Sequence, residues 1–352
     1  MKTKITKFNI PLAKPFSYFL ATMSSLDYSK IKITTSDGYI GIGEIVNSID
    51  LNGQYSKATE FYNDIVQNVL VKFSTITSIQ EIEIILDELE LHMLFNKGIL
   101  CGVEQALFDI LSQKTKTPLI EIFGGLQNVP KNIQVAVPFL KTEIEYKEKI
   151  TRLIENYPNI KFIKFKVGKN NDLEVKAINY IRKLSSEIKI SVDANQAFKT
   201  AKDALLFLSK IEKCNISWAE QLLPSTKYNE MKILAERSQI PLMADESLHT
   251  EADAQFLVQN SYVKYFNIKL AKTGGILRAR KIIKVANEHN IPVILGSMLH
   301  SEIGYYYNFA FALTEDFVTH DFGSYLSLVK PLLPNMVNIR LNINPESFIE
   351  KI

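Results

Sequence analysis

Residues 161–168 read KFIKFKVG, and this stretch decides how the rest of the chain is interpreted. Lys164 and Lys166 flank Phe165 inside a run that is otherwise apolar and has the composition of a buried strand. Side chains at positions i and i+2 of a strand point to the same side, so both ammonium groups would share one face. Two like charges in a buried strand require compensation, and this points to a functional site.

Similar runs recur after residue 131, with amphipathic helical stretches between them. The eight runs are IQVAVPF, FIKFKVG, IKISVDANQ, ISWAEQLL, PLMADES, YFNIKLA, PVILGSM and FVTHDFG. Polar residues end the last seven runs at intervals of 24 to 28 residues, the length of a strand, a helix and two short loops. Eight such units favour a closed (β/α)8 barrel. A doubly wound open sheet is the alternative, but no GxGxxG follows an early strand.

The part of the chain before this repeat has a different pattern. Residues 2–9 and 29–45 have strand character, with a turn at Ser36-Asp37-Gly38. Apolar residues at helical spacing then continue over roughly 55–115. The fold class is therefore α/β, with a first part distinct from the barrel repeat.

Composition and charge restrict the classes of partner. The chain has 352 residues, of which 46% are hydrophobic and 22% charged, and its net charge is +3 without a basic tail. This gives no reason to expect nucleic acid or a membrane surface as a partner. The first residues lack the apolar stretch of a signal peptide. Cys101 and Cys214 show no metal-ligand spacing, so we expect free thiols in a soluble cytoplasmic protein.

Carboxylates end three consecutive runs: Asp193 in IKISVDANQ, Glu220 in ISWAEQLL and Asp245 in PLMADES. Neighbouring strands of a barrel place their C-terminal ends side by side, so these side chains would converge on one small volume. A divalent cation would remove their mutual repulsion, and an all-oxygen ligand set favours Mg²⁺ over zinc. An isolated acid at a strand end is usually a helix cap or a solvated charge, but three on consecutive strands favour a metal site.

Lysines provide the candidate acid and base. Lys164 and Lys166 would point into the barrel if Phe165 faces the helices, and adjacent ammonium groups lower each other's pKa, as a general base requires. Lys269 ends the sixth run, and the second and sixth strands lie opposite each other across a barrel. Two opposed bases predict proton transfer at either face of one carbon, which is racemisation or epimerisation. A lone KxK is otherwise typical of an exposed strand edge.

Short motifs along nearly the whole chain carry a family resemblance. They are PFSYFL, DGYIGIGE, GVEQALFDIL, TPLIEIFGG, KFKVG, VDANQ, WAEQLLP, MADES, NIKLAKTGGI and GSM. Together they resemble the enolase superfamily, in its muconate lactonising enzyme subgroup, and are most like the dipeptide epimerases. The resemblance implies an α+β capping domain over residues 1–125, to which a tail of about 325–352 returns. It also implies a modified TIM (β/α) barrel over 126–324, with capping loops around 16–28 and 46–55.

The resemblance also assigns roles to residues. One Mg²⁺ per subunit would be bound by Asp193, Glu220 and Asp245, with Asn195 and Glu246 supporting these ligands. Lys166 and Lys269 would be the acid and base of a 1,1-proton transfer through an enediolate, which Mg²⁺ and Lys164 would stabilise. The residues expected to contact the substrate are Lys164, Asp321, Ser297, Met298, Phe19 and Met23. The oligomeric state stays open, although relatives often assemble.

The eighth run indicates which reaction of the subgroup to expect. Dipeptide epimerases carry a DxD motif here whose acids hold the free α-ammonium of the substrate, and this chain has HDFG. Asp321 matches the first acid, whereas Gly323 replaces the second. Asp321 could instead cap the following segment. N-succinylamino acid racemase, cycloisomerase and o-succinylbenzoate synthase are alternatives within the subgroup, and a non-catalytic barrel that binds amino-acid derivatives is a remote one.

The first capping loop points to an apolar substrate side chain. It reads YFLATMSSLDY, with no Lys or Arg and with the apolar residues Tyr18, Phe19, Leu20 and Met23. A free carboxylate would be costly to bury against them, so we expect L-Ala-L-Xaa dipeptides with an apolar second residue rather than glutamate. His300 and His320 fall near the ends of two runs, where they either line the pocket or have a structural role.

Overall fold

Two β-sheets organise the chain in the computed structural model, which describes residues 1–17, 19, 22–47, 56–93, 96–127 and 133–323. The first sheet is antiparallel and has the order β1-β2-β3. Its strands are β1 (Lys2–Ser17), β2 (Thr22–Thr34) and β3 (Ile40–Ile45). The second sheet is parallel, and its seven strands are paired in the sequential order β10 to β4. These strands are β4 (Gln134–Val137), β5 (Phe162–Lys166), β6 (Lys189–Asp193), β7 (Ile216–Glu220), β8 (Leu242–Ala244), β9 (Tyr265–Ile268) and β10 (Val293–Leu295).

Helices cover both sheets. Those that follow the antiparallel sheet are α1 (Ser56–Leu70), α2 (Ile79–His92), α3 (Lys97–Thr115) and α4 (Leu119–Ile122). Those of the barrel are α5 (Glu143–Asn156), α6 (Asn171–Leu184), α7 (Ala201–Ile211), α8 (Tyr228–Arg237), α9 (Glu251–Gln259), α10 (Leu270–Thr273), α11 (Ile276–Glu288) and α12 (Glu302–Ala312). Thr142, Thr200 and Thr250 begin α5, α7 and α9, because each side chain accepts a hydrogen bond from the amide three residues later.

The predicted eighth run closes the barrel without forming a regular strand. His320 makes isolated parallel bridges to Leu295 of β10 and to Ile133, which precedes β4. The amide of Asp321 donates to the carbonyl of Leu295 at 2.9 Å, and the amide of Gln134 donates to the carbonyl of His320 at 2.7 Å. Within the described residues the eighth run thus contributes isolated bridges rather than a regular strand, as suits a barrel that departs from eight full βα units. The fold class itself, a modified TIM barrel with a separate α+β layer, is confirmed.

The DGYIGIGE motif allows α3 to pack directly on β3. A Cβ atom on Gly41 would lie 1.9 Å from the carbonyl oxygen of Ala106, and one on Gly43 would lie 1.8 Å from that of Gly102. Only glycine fits where a helix backbone approaches a strand so closely. The two glycines are thus required for the contact between the antiparallel sheet and its helices.

The barrel interior has an apolar layer beneath a polar one. Phe162, Trp218, Met243 and Ile294 form a buried cluster that is separate from the large core. Trp218 packs against Phe162 and Tyr265 in tilted ring pairs with centroids 5.9 and 5.3 Å apart. Because strand side chains alternate, the residues two and four positions further along these strands point into the same interior. The inward-pointing polar residues therefore lie at the C-terminal ends of the strands, which form the mouth of the barrel.

The first capping loop is shorter than the sequence predicts. Phe16 pairs with Met23 and Ser17 with Thr22, so the β1–β2 hairpin continues through most of the expected loop 16–28. The extension is stabilised by apolar side chains on one face of the hairpin, which join a cluster with Leu299. Tyr18, Leu20, residues 48–55 of the second loop and the expected tail 325–352 lie outside the described residues.

Both cysteines are buried free thiols, as the sequence predicts. No helix within the described parts of the chain has the length and apolar character that crossing a bilayer requires.

His320 is buried in an aromatic cluster rather than in the pocket. Its ring stacks on Phe322 at 5.5 Å and contacts Phe317, and its Nδ1 has no hydrogen-bond partner among the described residues. His300 also serves the structure, because its Nδ1 lies 2.6 Å from the Glu44 carboxylate. The alternative in which these histidines line the pocket is therefore wrong. Burial lowers the pKa of His320 to about 3.

His320 should make the protein sensitive to acid. The unfolded chain binds a proton at His320 below its ordinary pKa of about 6.5 and the folded protein does not, so stability falls as the pH drops through this range. We expect His320→Gln to remove about 2 kcal/mol of the stability loss between pH 7 and pH 5, measured by urea unfolding. His289→Gln, at an exposed position, is the control. An unchanged pH dependence in His320→Gln would contradict the assignment.

Candidate active site at the C-terminal mouth of the barrel

Strand register places the central residues of the site at one level. Lys166 is the register partner of Asp193, and Asp193 is the partner of Glu220 on the next strand. Asp245 directly follows β8, and Lys269 directly follows β9. Phe165 belongs to the large core, as expected if both flanking lysines point inward. The ends of five neighbouring strands thus bring these side chains together.

Lys164 and Lys166 are paired with carboxylates. Lys164 is 2% exposed and contacts Asp321, with its Nζ also 3.2 Å from Glu220 Oε2 and 3.4 Å from Asp193 Oδ2. The Nζ of Lys166 donates to Asp193 Oδ2 and to Asn195 Oδ1, both at 2.6 Å. The like charges of the KFK pair are therefore compensated by Asp193 and Glu220 at two other strand ends and by Asp321 of the eighth run.

Asp245 is held by two lysines, one of which the sequence reading missed. Its Oδ2 accepts a hydrogen bond from Lys269 at 2.5 Å, and its Oδ1 accepts one from Lys272 at 2.7 Å. Lys272 is 1% exposed and lies one helical turn after Lys269, a spacing that could have indicated it. Asn267 was also missed, although it precedes Lys269 by two residues and so shares its face. Its Nδ2 donates to Glu220 Oε1 at 2.6 Å.

Burial and the neighbouring acids disfavour the charged forms of Glu220 and Glu246. Burial, with the charges of Asp193 and Asp245, raises the pKa of Glu220 to about 7. Burial, with the same two neighbours, raises the pKa of Glu246 to about 8. Lysine contacts hold the pKa of Asp193 and Asp245 below ordinary values even though burial opposes this. The acids thus interact strongly with one another, as convergence on one small volume requires.

The expected lowering of the lysine pKa by like charges is wrong for Lys164. Burial does lower it, but the carboxylates of Asp321 and Glu220 outweigh burial and raise the pKa of Lys164 well above its ordinary value. Lys269 behaves in the same way, because Asp245 raises its pKa despite burial. The neighbouring acids therefore dominate both groups.

The donor set fits a divalent cation, although the acids are turned toward lysines. Among the described residues, no three acidic, histidine or cysteine side chains stand in a ready metal-binding group. The arrangement nevertheless contains three carboxylates whose charges interact, and Glu246 Oε2 is buried without a hydrogen-bond partner in the described chain. Oxygen donors of this kind suit Mg²⁺, and a cation would relieve the acid repulsion that raises the pKa of Glu220 and Glu246.

A cavity of about 110 Å³ joins these polar groups to an apolar wall. The expected substrate residues Lys164, Asp321, Ser297, Met298 and Met23 all line it. Phe19 is different, because it is 40% exposed and is not among the described lining residues. The sequence reading missed several further lining residues, namely Phe16, Tyr28, Asn47, Ala136 and Leu299. Phe16 was missed because the hairpin continuation placed it on the inward face instead of in a loop.

Gly323 has no room for a side chain. A Cβ atom there would lie 2.7 Å from both the carbonyl oxygen of Gln134 and the Cα of Val135. Both are backbone atoms of β4, so they cannot move aside as a flexible side chain would. The second acid of the DxD motif would therefore not fit at position 323. Asp321 is the carboxylate that this segment contributes to the cavity lining.

Restoring the second acid is expected to damage the fold. Gly323→Asp would force β4 and the segment around His320 apart, and we expect a loss of about 1–3 kcal/mol in the free energy of unfolding. Val318→Asp places the same charge at an exposed position of the same segment and is the control. Wild-type stability in Gly323→Asp, measured by urea unfolding, would show that this packing is looser than described.

Comparison with known proteins identifies the family. The family model for the mandelate racemase / muconate lactonizing enzyme N-terminal domain matches residues 1–124, and the enolase C-terminal domain-like model matches residues 145–337. The chain therefore belongs to the mandelate racemase and muconate lactonizing enzyme family of the enolase superfamily. Within that superfamily it is an isomerase of the racemase and epimerase class.

Three similar proteins illustrate the relationship. The L-Ala-D/L-Glu epimerase of Clostridium acetobutylicum is 28% identical over 85% of this chain and 82% of its own. The structure of the N-succinyl Arg/Lys racemase from Bacillus cereus has a TM-score of 0.85 at 25% identity, covering 94% of this chain and 89% of its own. That of the dipeptide epimerase from Cytophaga hutchinsonii, complexed with Mg and D-Ala-L-Val, has a TM-score of 0.83 at 27% identity, covering 93% and 88%.

Proposed function

We propose that this protein is a Mg²⁺-dependent dipeptide epimerase that inverts the α-carbon of the C-terminal residue of L-Ala-L-Xaa dipeptides. The observation that carries the proposal is the pair Lys166 and Lys269, which face one cavity from strands on opposite sides of the barrel. The relatives named above, two of which are dipeptide or L-Ala-D/L-Glu epimerases, support the choice of substrate class.

Asp193, Glu220 and Asp245 are the residues that would hold one Mg²⁺ per subunit. Their mutual repulsion and the unpartnered Glu246 Oε2 support this role. When bound, the cation supplies positive charge that polarises the substrate carboxylate and makes the α-proton more acidic. Asn195 contributes by holding neighbours in place, since its Nδ2 donates to Glu246 Oε1 at 3.0 Å and its amide donates to Asp193 Oδ1 at 2.9 Å.

Lys166 and Lys269 would exchange one proton at the α-carbon. The neutral amine of one lysine takes the α-proton, and the C–H electron pair moves toward the carboxylate to give an enediolate. The ammonium group of the other lysine then returns a proton to the opposite face, which inverts the centre. Lys164, buried beside Lys166, supplies a fixed positive charge to the carboxylate as negative charge develops.

Two parts of the cavity lining would select the dipeptide. Asp321 lines the cavity and offers a carboxylate to the free α-ammonium of the substrate. The apolar part of the lining contains Phe16, Met23, Tyr28 and Met298, and the described lining contains no arginine. An acidic side chain would lose its hydration against this wall without gaining a partner, so an apolar Xaa is favoured.

We propose that the chain divides at residue 125, between a capping domain and a barrel over 126–324. α4 ends at Ile122 and β4 begins at Gln134, which supports a boundary between them. The tail of about 325–352 would return to the capping domain.

A cytoplasmic location is supported by the free thiols of Cys101 and Cys214.

The two lysines can be tested by isotope exchange. Wild-type enzyme in D₂O is expected to exchange the α-proton of the C-terminal residue of L-Ala-L-Leu, as measured by NMR. Lys166→Ala and Lys269→Ala should each abolish epimerisation, because inversion needs both faces. A single variant can retain exchange with one epimer, whereas the double variant should show none. Lys202→Ala, on the exposed side of α7, is the control, and exchange in the double variant would disprove the two-base assignment.

A dipeptide panel tests the proposed specificity. We expect L-Ala-L-Leu and L-Ala-L-Phe to have a higher kcat/KM than L-Ala-L-Glu by at least about tenfold, since burying an unpaired carboxylate is costly. Activity should disappear on treatment with EDTA and return with Mg²⁺. A clear preference for L-Ala-L-Glu would contradict the apolar pocket.

N-succinylamino acid racemisation is a second candidate reaction. It is favoured by the structural similarity to the N-succinyl Arg/Lys racemase and by the glycine that stands where a second ammonium-binding acid is expected. The same lysines would act, but the substrate would have no ammonium group for Asp321. A comparison of L-Ala-L-Leu with N-succinyl-L-Leu decides the matter, because the dipeptide offers a free ammonium group to Asp321 and the N-succinylated amino acid does not.

A further inference from the structure

Gln221 follows directly after Glu220 and has an unusual backbone. Its φ is +33°, a left-handed conformation that residues with a side chain rarely adopt. It is 4% exposed and does not line the cavity. Such strain persists where the surrounding structure fixes it, and it is common beside functional sites.

The side-chain amide of Gln221 binds the segment that carries two site acids. Its Oε1 accepts hydrogen bonds from the amide of Asp245 at 3.0 Å, from the amide of Ser247 at 3.1 Å and from Ser247 Oγ at 2.9 Å. Its Nε2 donates to the carbonyl of Leu223 at 2.9 Å. A glutamine is suited to this place, because one end of its amide accepts and the other donates without adding charge.

The backbone of Gln221 forms hydrogen bonds with β8 and with the segment that follows β6. Its amide donates to the carbonyl of Met243 on β8 at 3.0 Å. Its carbonyl accepts from the amide of Gln196, in the segment after Asp193, at 2.8 Å. Gln221 therefore links the three segments that carry Asp193, Glu220 and Asp245.

We infer that Gln221 is a positioning residue that sets the spacing of the three candidate metal ligands. It acts through Asp245, whose amide it fixes, and it touches neither the substrate nor the cation. Residues that orient metal ligands commonly change metal affinity by about 10–100-fold when they are replaced. The effect on Mg²⁺ rests on the proposed function, whereas the restraint on the segment at Asp245 and Ser247 does not.

The test variant is Gln221→Gly, with Gln196→Gly as its matched control. Glycine adopts a positive φ without strain, so Gln221→Gly removes the amide group while relieving the backbone. Gln196 also has a left-handed backbone, with φ +68°, and its Oε1 accepts from the amide of Ser225 at 2.8 Å. The control therefore makes the same change one segment away. Gln221→Asn is a second variant, since asparagine tolerates this backbone but is one methylene too short to reach Asp245.

Three measurements on the full chain decide the matter. Hydrogen exchange of the Asp245 and Ser247 amides, without added metal, should become faster by at least about tenfold in both Gln221 variants and stay unchanged in Gln196→Gly. The Kd for Mg²⁺, from calorimetric titration, should rise about tenfold or more in the Gln221 variants and change less than about twofold in the control. The EPR spectrum of Mn²⁺ bound in place of Mg²⁺ should change only in the Gln221 variants.

The outcomes separate this inference from the proposed function. Wild-type exchange at Asp245 and Ser247 in both Gln221 variants overturns the inference. Equal weakening of Mg²⁺ binding in Gln196→Gly and Gln221→Gly, or an unchanged Mn²⁺ spectrum, overturns it as well. A wild-type protein that binds no Mg²⁺ overturns the proposed function and the role toward the metal. The exchange measurement alone then decides whether Gln221 restrains the segment.

Discussion

Buried ammonium and carboxylate groups meet at the C-terminal mouth of the barrel, and the architecture around them serves to keep them together. Lys164, Lys166 and Lys272 are each less than a tenth exposed, as are the acids they contact. Burying such charges costs several kcal/mol per ion, and their pairing recovers this only in good geometry. Loss of one group leaves its partner buried and unpaired. The strand ends are therefore tied to one another through their side chains as well as through the sheet.

The position of this charged layer follows from the layer beneath it. Phe162, Trp218 and Met243 fill the lower interior of the barrel, and the next inward positions on these strands are Lys164, Glu220 and Asp245. These buried side chains exclude water from the lower side of the charged layer, so the charges interact in a medium of low polarity. The β1–β2 hairpin supplies apolar side chains above. The site is thus an electrostatic layer between two apolar ones, which suits chemistry that stabilises a developing negative charge.

Contacts between the two layers of the fold hold the loops of the site. The hydroxyl of Tyr28 donates to the carbonyl of Leu299 at 2.6 Å, and the Glu44 carboxylate accepts from the amide of Ser301 at 2.7 Å. Both bonds fix the segment that carries Ser297 and Met298. Specificity at the apolar wall therefore depends on the capping layer and the barrel together.

Part of this organisation could be predicted from the sequence, because periodicity acts locally. The KFK spacing, the 24- to 28-residue rhythm and the acids at three run ends predicted the barrel and the residues at its mouth. Phe16 was not predicted, because its place in the site depends on the register of the hairpin. The spacing of Asn267 and Lys272 from Lys269 could have indicated them, but their acid partners Glu220 and Asp245 lie on other strand ends. The sequence also suggested lysines with lowered pKa, and the structure reversed this for Lys164, since Asp193, Glu220 and Asp321, which are distant in sequence, contact its ammonium group. Likewise only the packing of β4 against Gly323 excludes a second acid there. Local patterns thus determined the fold and the main site residues, whereas their electrostatic balance was decided by distances that exist only in the folded chain.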